Sequence, residues 1–203
     1  MNLRFENDAG YEAFLAAVKE RLDAKERRVI EKPELSPAAV LMLFMNIGGE
    51  PHVLLTRRTG TVATHKGEVA FPGGKRDPGD EDTLRTALRE TEEEVGVRPG
   101  DVRILGEFDH FFSIWGFHVS TWVGAIPHPY AYTLNRDELE EYREVPLSIF
   151  YEEKYYKSET FSYEGREVEV YYYNYDGFKI WGLTARILTD FARKILKGSH
   201  GTD

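Results

Sequence analysis

The stretch Arg89-Glu90-Thr91-Glu92-Glu93-Glu94-Val95-Gly96-Val97, preceded by Phe71-Pro72-Gly73-Gly74, holds the residue types and spacing most suited to chemistry. Carboxylates at helical spacing hold hard divalent cations, and glycines let a backbone come close to a metal or a phosphate. Lys75 and Arg76 stand directly beside the glycines. The combination points to metal-assisted cleavage of a phosphate-containing substrate. Charge is divided in the same sense. From Leu54 to Arg76 there are five Lys/Arg and one acidic residue, Glu68, whereas from Glu81 to Glu94 there are six acidic residues and two arginines. Such runs most often only face water, but a basic stretch beside an acidic one also suits a polyanion gripped directly on one side and through metal on the other.

The element that must position the carboxylates is a helix, Thr83 to Val95, closed by Gly96 at the usual C-terminal place for glycine. Advancing about 100° per residue puts Leu84, Ala87, Leu88, Thr91 and Val95 on one stripe facing the core. Glu90 and Glu94 then lie about 40° apart on one flank, with Glu93 within about 60° of Glu90 on the outer side. Glu92 falls on the opposite flank, near Arg85 and Arg89. Three like charges so close repel unless a cation offsets them. Arg89, four residues before Glu93, offers one pairing, and a divalent metal is the stronger remedy.

Around this helix the chain reads as an α/β protein of one domain. Tyr11 to Arg27 has a helical recurrence of apolar residues, broken by Pro33 to Pro37. Ala38 to Met45 reads as a buried strand, Gly48-Gly49 as a turn and His52 to Arg57 as its hairpin partner. Val69 to Phe71, Val102 to Phe108, Phe117 to Ile126 and Val168 to Tyr173 read as further strands. Asn135 to Tyr142 reads as a charged turn or short helix stopped near Pro146, and Thr184 to Leu196 as a terminal amphipathic helix. Neighbouring strands with helices interspersed imply a mixed sheet with helices on its faces rather than a regular βαβ array.

Composition narrows the classes. The chain has 203 residues, 41% apolar and 30% charged, as in an ordinary soluble globular protein. The longest apolar run, Ala38 to Met45, is eight residues, far short of a membrane span. A net charge of −9 argues against a protein that coats nucleic acid. The absence of cysteine excludes disulfides and thiolate chemistry and is compatible with a reducing cytoplasmic setting. Oligomeric state is not legible.

The glycine loop and carboxylate helix together resemble the Nudix box of the nucleoside-diphosphate-linked hydrolases. That box runs glycine, five residues, Glu, seven residues, then Arg-Glu-U-x-Glu-Glu-x-Gly-U, with U apolar. Arg89, Glu90, Glu93, Glu94, Gly96 and Val97 match its second half, and Glu81 stands at the required distance before Arg89. Two positions depart from it. Gly74 precedes Glu81 by one residue more than the pattern, consistent with an insertion through Asp77-Pro78-Gly79-Asp80, and Thr91 occupies an apolar position. The resemblance implies a Nudix fold, an α/β/α sandwich with a mixed β-sheet, here with an N-terminal helical extension over residues 1–33 and a core over 34–196 ending in the C-terminal helix. It also implies Mg²⁺- or Mn²⁺-dependent hydrolysis of a diphosphate by a metal-activated water. By the same resemblance Glu90, Glu93 and Glu94 are metal ligands, helped by a backbone carbonyl, here Gly73. Glu93, Arg89 and Glu138 are the catalytic candidates, Glu138 coming from a later acidic loop in which Glu141 is the alternative.

Leu54-Leu55-Thr56-Arg57-Arg58-Thr59, then Gly67 to Pro78, and the tail Ile180-Trp181-Gly182-Leu183-Thr184-Ala185-Arg186 are similar to the coenzyme A pyrophosphatase subfamily. The substrate it implies, coenzyme A, has a 5′-diphosphate and a separate 3′-phosphate. Arg57, Arg58, Lys66, Gly74, Lys75 and Arg76 are therefore the candidate substrate-binding residues, the cations through charge-assisted hydrogen bonds. Adjacent strand residues point to opposite faces, so Arg57 and Arg58 cannot both face one pocket. His65 reads as a loop histidine rather than a base. The run Tyr171 to Tyr175 offers rings for adenine stacking, although alternating strand tyrosines more often pack the core. ADP-ribose and NADH are the alternative substrates, and a catalytically silent nucleotide-binding protein is the alternative class.

Overall fold

The computed structural model describes residues 1–29, 32, 34–60, 67–163 and 166–198. Strand β1 (Ser36–Ile47) is the axis of the sheet. It runs parallel to β6 (Phe117–Ala125), from Ser36 opposite Phe117 to Phe44 opposite Ala125. It turns antiparallel into β2 (Glu50–Arg58) and also pairs with the three-residue β4 (Gly73–Lys75). Beyond these, β3 (Val69–Ala70) joins β2 and β5 (Arg103–Phe112) joins β6, both antiparallel. One parallel pair among antiparallel ones makes the sheet mixed.

The apolar run of β1 is buried on both faces because helices cover both. Ala39, Leu41, Leu43 and Met45 meet α2 (Thr83–Val95) through Ala87 and Val95. Met42 and Phe44 share the other core with Phe14, Leu15, Val18 and Leu22 of α1 (Asp8–Ala24), and with Ile187, Leu188 and Phe191 of α4 (Gly182–Phe191). The result is an α/β/α sandwich with a mixed sheet. Helix α1 begins a turn earlier than its apolar recurrence suggests, because the Asn7 side chain accepts from the Gly10 N–H and caps it. The N-terminal segment is tied into the body. Arg21 donates to the carbonyls of Ile195 and Leu196, and buried Asp109 takes both Lys25 and Lys194.

One sequence expectation needs correction. Asn135 to Tyr142 is not a helix. After a turn the chain forms β7 (Leu139–Pro146), which pairs antiparallel with β2, Arg57 lying opposite Glu141. At a sheet edge Glu140, Glu141, Arg143 and Glu144 put charge on both faces, so no polar–apolar alternation announces the strand. Alternating tyrosines of β9 (Arg166–Tyr175) pack the core, the commoner of their two readings. Tyr171 and Tyr173 are buried in the core beside the four-residue α3 (Ser148–Tyr151), so neither can stack on a base. Strand β9 sits between β8 (Lys157–Tyr163) and β10 (Phe178–Ile180) in a small second sheet, and neither flanking strand is anticipated by the sequence. Among the described residues no helix is long and apolar enough to cross a membrane.

Candidate active site

Strand β4 brings backbone rather than side chains to α2, and this explains its glycines. Gly73 holds φ at 150°, and a Cβ there would lie 2.3 Å from the Ala39 carbonyl oxygen, so only glycine fits. Its N–H donates to Glu94 Oε2 at 3.1 Å. At Gly74 a Cβ would come within 2.5 Å of the Glu90 carboxyl carbon. The loop is thus a cradle shaped for the Glu90 and Glu94 carboxylates. Gly73 enters it through its N–H.

The four glutamates of α2 fall into different surroundings. Glu94 is buried, its side chain 4% exposed, and Glu90 is half-buried at 19%. Glu93 is 57% exposed and turned toward Arg89, while Glu92 is exposed. Burial pushes the Glu94 carboxyl up to about 8, reinforced by the nearby Glu90 and Glu138 charges and opposed by the Gly73 N–H and Arg58. Glu90 is raised for the same first reason, with Arg89 opposing. Thr91 occupies its apolar position without penalty, since its hydroxyl donates to the Ala87 carbonyl at 2.6 Å.

Arg58 and Glu138 complete this flank. Arg58 Nη1 lies 3.3 Å from Glu94 Oε1, and Nη2 lies 3.5 Å from Glu138 Oε2. Glu138 is placed by the turn before β7. Its carbonyl accepts from the Thr59 N–H, and the same loop caps α2 through Asn135 N–H to the Glu94 carbonyl. Arg57 faces away as strand alternation requires. It pairs with Glu141 at 2.9 Å, donates to the Gly177 carbonyl and lies over the Phe178 ring. Arg57 is therefore removed from the group that meets the carboxylates. Lys75 is exposed at the rim, and Arg76 donates to the carbonyls of Asp80 and Glu81. Lys66 and His65 lie outside the described residues.

The opposite flank contains the residue that sequence reasoning missed. Asp80, 6% exposed, accepts from Arg89 Nε and Nη2 at 3.1 and 3.0 Å, from the Asp77 N–H and from the Thr86 hydroxyl. These partners, Arg89 first, hold its carboxyl well below the usual range. Glu81 is exposed and contributes its backbone carbonyl to Arg76. The count of six from Gly74 lands on Asp80, so the extra residue falls after the carboxylate and not before it. Arg89 also meets Glu90 at 2.9 Å, Glu93 at 3.0 Å and the Lys75 carbonyl at 3.3 Å. With its donors directed at protein groups, Arg89 positions the loop and helix.

The donor set fits a hard divalent cation. The Glu138 charge raises both Glu90 and Glu94, all three offer oxygen, and Gly74 leaves the room a side chain would fill. Among the described residues no three carboxylates yet surround one ion-sized point. Guanidinium groups stand between them, Arg58 joining Glu94 to Glu138 and Arg89 joining Glu90 to Asp80.

The chain resembles known proteins over most of its length. The family model described as the NUDIX domain matches residues 35–170. A protein described as an uncharacterized Nudix hydrolase, NudL, from Photorhabdus laumondii is 40% identical over 77% of this chain and 84% of its own length. A NudL of Yersinia pestis is 40% identical over 72% of this chain and 73% of its own. A solved Ap4A hydrolase of C. elegans, in a binary complex, aligns at 25% identity with a TM-score of 0.48, covering 55% of this chain and 80% of that one.

Proposed function

The chain belongs to the Nudix hydrolase family, enzymes that cleave diphosphate anhydrides, and from that premise we propose that it hydrolyses the diphosphate of coenzyme A. The products are adenosine 3′,5′-bisphosphate and 4′-phosphopantetheine. The observation that carries the reaction type is buried Glu94, set beside Glu90 and Glu138 and opposite the Gly73-Gly74 cradle. Like charges gathered around a buried carboxylate are expensive unless a cation joins them. Glu90 and Glu94 would hold Mg²⁺ or Mn²⁺, with Glu93 at the outer edge and Glu138 beside the ion. When bound, the ion neutralises diphosphate oxygens and lowers the pKa of a coordinated water.

The chain's own groups supply the rest. We assign to Glu138, 44% exposed, the proton of the attacking water. Arg58 meets the diphosphate from the floor and Lys75 from the rim, while Gly74 lets the backbone approach. Support for coenzyme A comes from the run Leu54 to Thr59 with Gly67 to Pro78, whose cations Lys75 and Arg76, with Lys66, are the candidates for the 3′-phosphate. A chain without cysteine suits a reducing cytoplasm, where we place the reaction.

A panel of nucleotides assayed with Mg²⁺ and Mn²⁺ in ¹⁸O-labelled water tests the reading. Coenzyme A should outrun its 3′-dephospho form, ADP-ribose and NADH, with label in a single product phosphate. Equal rates with and without the 3′-phosphate would remove coenzyme A as the preferred substrate. Absence of cleavage of every diphosphate would remove the reaction itself.

A further inference from the structure

Arg58 occupies an unusual place for a substrate-binding residue, because it already lies between two carboxylates. The pairing of β2 with β7 shifts register between Arg57 and Arg58, and this irregularity accompanies the turn of Arg58 toward α2 while Arg57 faces the opposite side. Its contacts to Glu94 and Glu138 are long, 3.3 and 3.5 Å. Its Nε is buried and, among the described residues, has no hydrogen-bond partner. A buried guanidinium N–H left without an acceptor is costly and seeks one. Arg58 is thus held by charge but not satisfied by geometry.

We propose that Arg58 is the resident cation of the metal site. In the metal-free protein its guanidinium sits against the Glu94 and Glu138 carboxyl groups, a divalent ion displaces it, and the freed fork then binds the substrate diphosphate. This rests on the metal-dependent reading above and adds an order of events. A divalent ion drawn to these carboxylates repels the guanidinium from the same oxygens. The guanidinium then has unspent donors in the fork geometry that suits phosphate. Metal loading therefore prepares the anion site, and metal precedes nucleotide. The same residue weakens metal binding and strengthens substrate binding.

Removing Arg58 acts on both sides of the metal equilibrium with one sign. The metal-free state loses an attraction, and the loaded state loses a repulsion. Titration of the metal-free protein with Mn²⁺ alone, followed by electron paramagnetic resonance, reads this without turnover. Arg58→Gln should bind Mn²⁺ at least ~5-fold more tightly than wild type, while its KM for coenzyme A rises. Arg58→Lys keeps the charge without the fork and should fall between, and it serves as the reading if the Gln variant does not fold. Unchanged or weaker Mn²⁺ binding in a folded Arg58→Gln protein overturns the inference. If that result comes with a raised KM, Arg58 is a substrate ligand only and the proposed reaction stands. If wild type binds no Mn²⁺ and cleaves no diphosphate, the reaction falls as well.

Discussion

On one flank of α2, Arg89 reaches Asp80, Glu90 and Glu93 at 2.9 to 3.1 Å. On the other, Arg58 reaches Glu94 and Glu138 only at 3.3 and 3.5 Å and leaves a buried Nε unpartnered. The carboxylates respond in opposite directions. Asp80 is held far below the ordinary range by its donors, and Glu94 is raised to about 8 by burial. Both are buried carboxylates beside an arginine, so burial and charge alone do not decide their roles. The difference lies in hydrogen bonds. Four close donors make Asp80 a finished structural joint, whereas Glu94 has the Gly73 N–H and one distant guanidinium and remains able to take a cation.

The comparison breaks most sharply under substitution of the ligands. Glu90→Gln and Glu94→Gln should each lower kcat at least ~100-fold with the fold retained, read by steady-state kinetics beside circular dichroism. Near-normal turnover would remove them from the metal site. On the other flank Asp80→Asn should act on stability instead. Loss of a buried charged partner of Arg89 should cost about 2 kcal/mol in denaturant unfolding, against less than about 0.5 kcal/mol for Glu81→Gln. If Glu81→Gln costs as much as Asp80→Asn, the assignment of the structural carboxylate is wrong.

The pH dependence separates the flanks by sign. Between the ordinary Glu range near 4.5 and about 8, the unfolded chain has released the Glu94 proton while the folded, metal-free protein retains it. The stability of the metal-free protein therefore falls as pH rises through that window, and the thermal shift produced by Mn²⁺ grows. Asp80 acts the other way. Its lowered pKa contributes stability that is present above the usual Asp range and lost as pH falls below it. Thermal unfolding with and without Mn²⁺ from pH 5 to 9 checks the first sign, and an Mn²⁺ shift that shrinks with pH would contradict it. A small effect is expected on the stability of Arg58→Gln. Two long contacts and an unpartnered Nε predict a loss of less than about 1 kcal/mol, smaller than that of Asp80→Asn.

The face of α2 was legible because helix geometry is fixed. An advance of about 100° per residue separates Glu90 and Glu94 from Glu92, and burial follows that division. Alternation along β2 likewise separates Arg57 from Arg58. Asp80 was not legible. In a loop no period relates position to direction, and only the folded hydrogen bonds distinguish it from Glu81 next door. Strand β7 was hidden because an edge strand with charge on both faces carries no alternation. The exposure of Glu93 and the retention of Arg89 by the Asp80 loop are tertiary facts of the same kind.

Mn²⁺ titration of wild type, Glu94→Gln and Asp80→Asn by electron paramagnetic resonance tests most directly whether the two flanks divide into cation site and scaffold. Wild type and folded Asp80→Asn should bind Mn²⁺ with similar affinity, and Glu94→Gln should lose binding by at least ~10-fold. Loss in Asp80→Asn with full binding in Glu94→Gln would contradict the division.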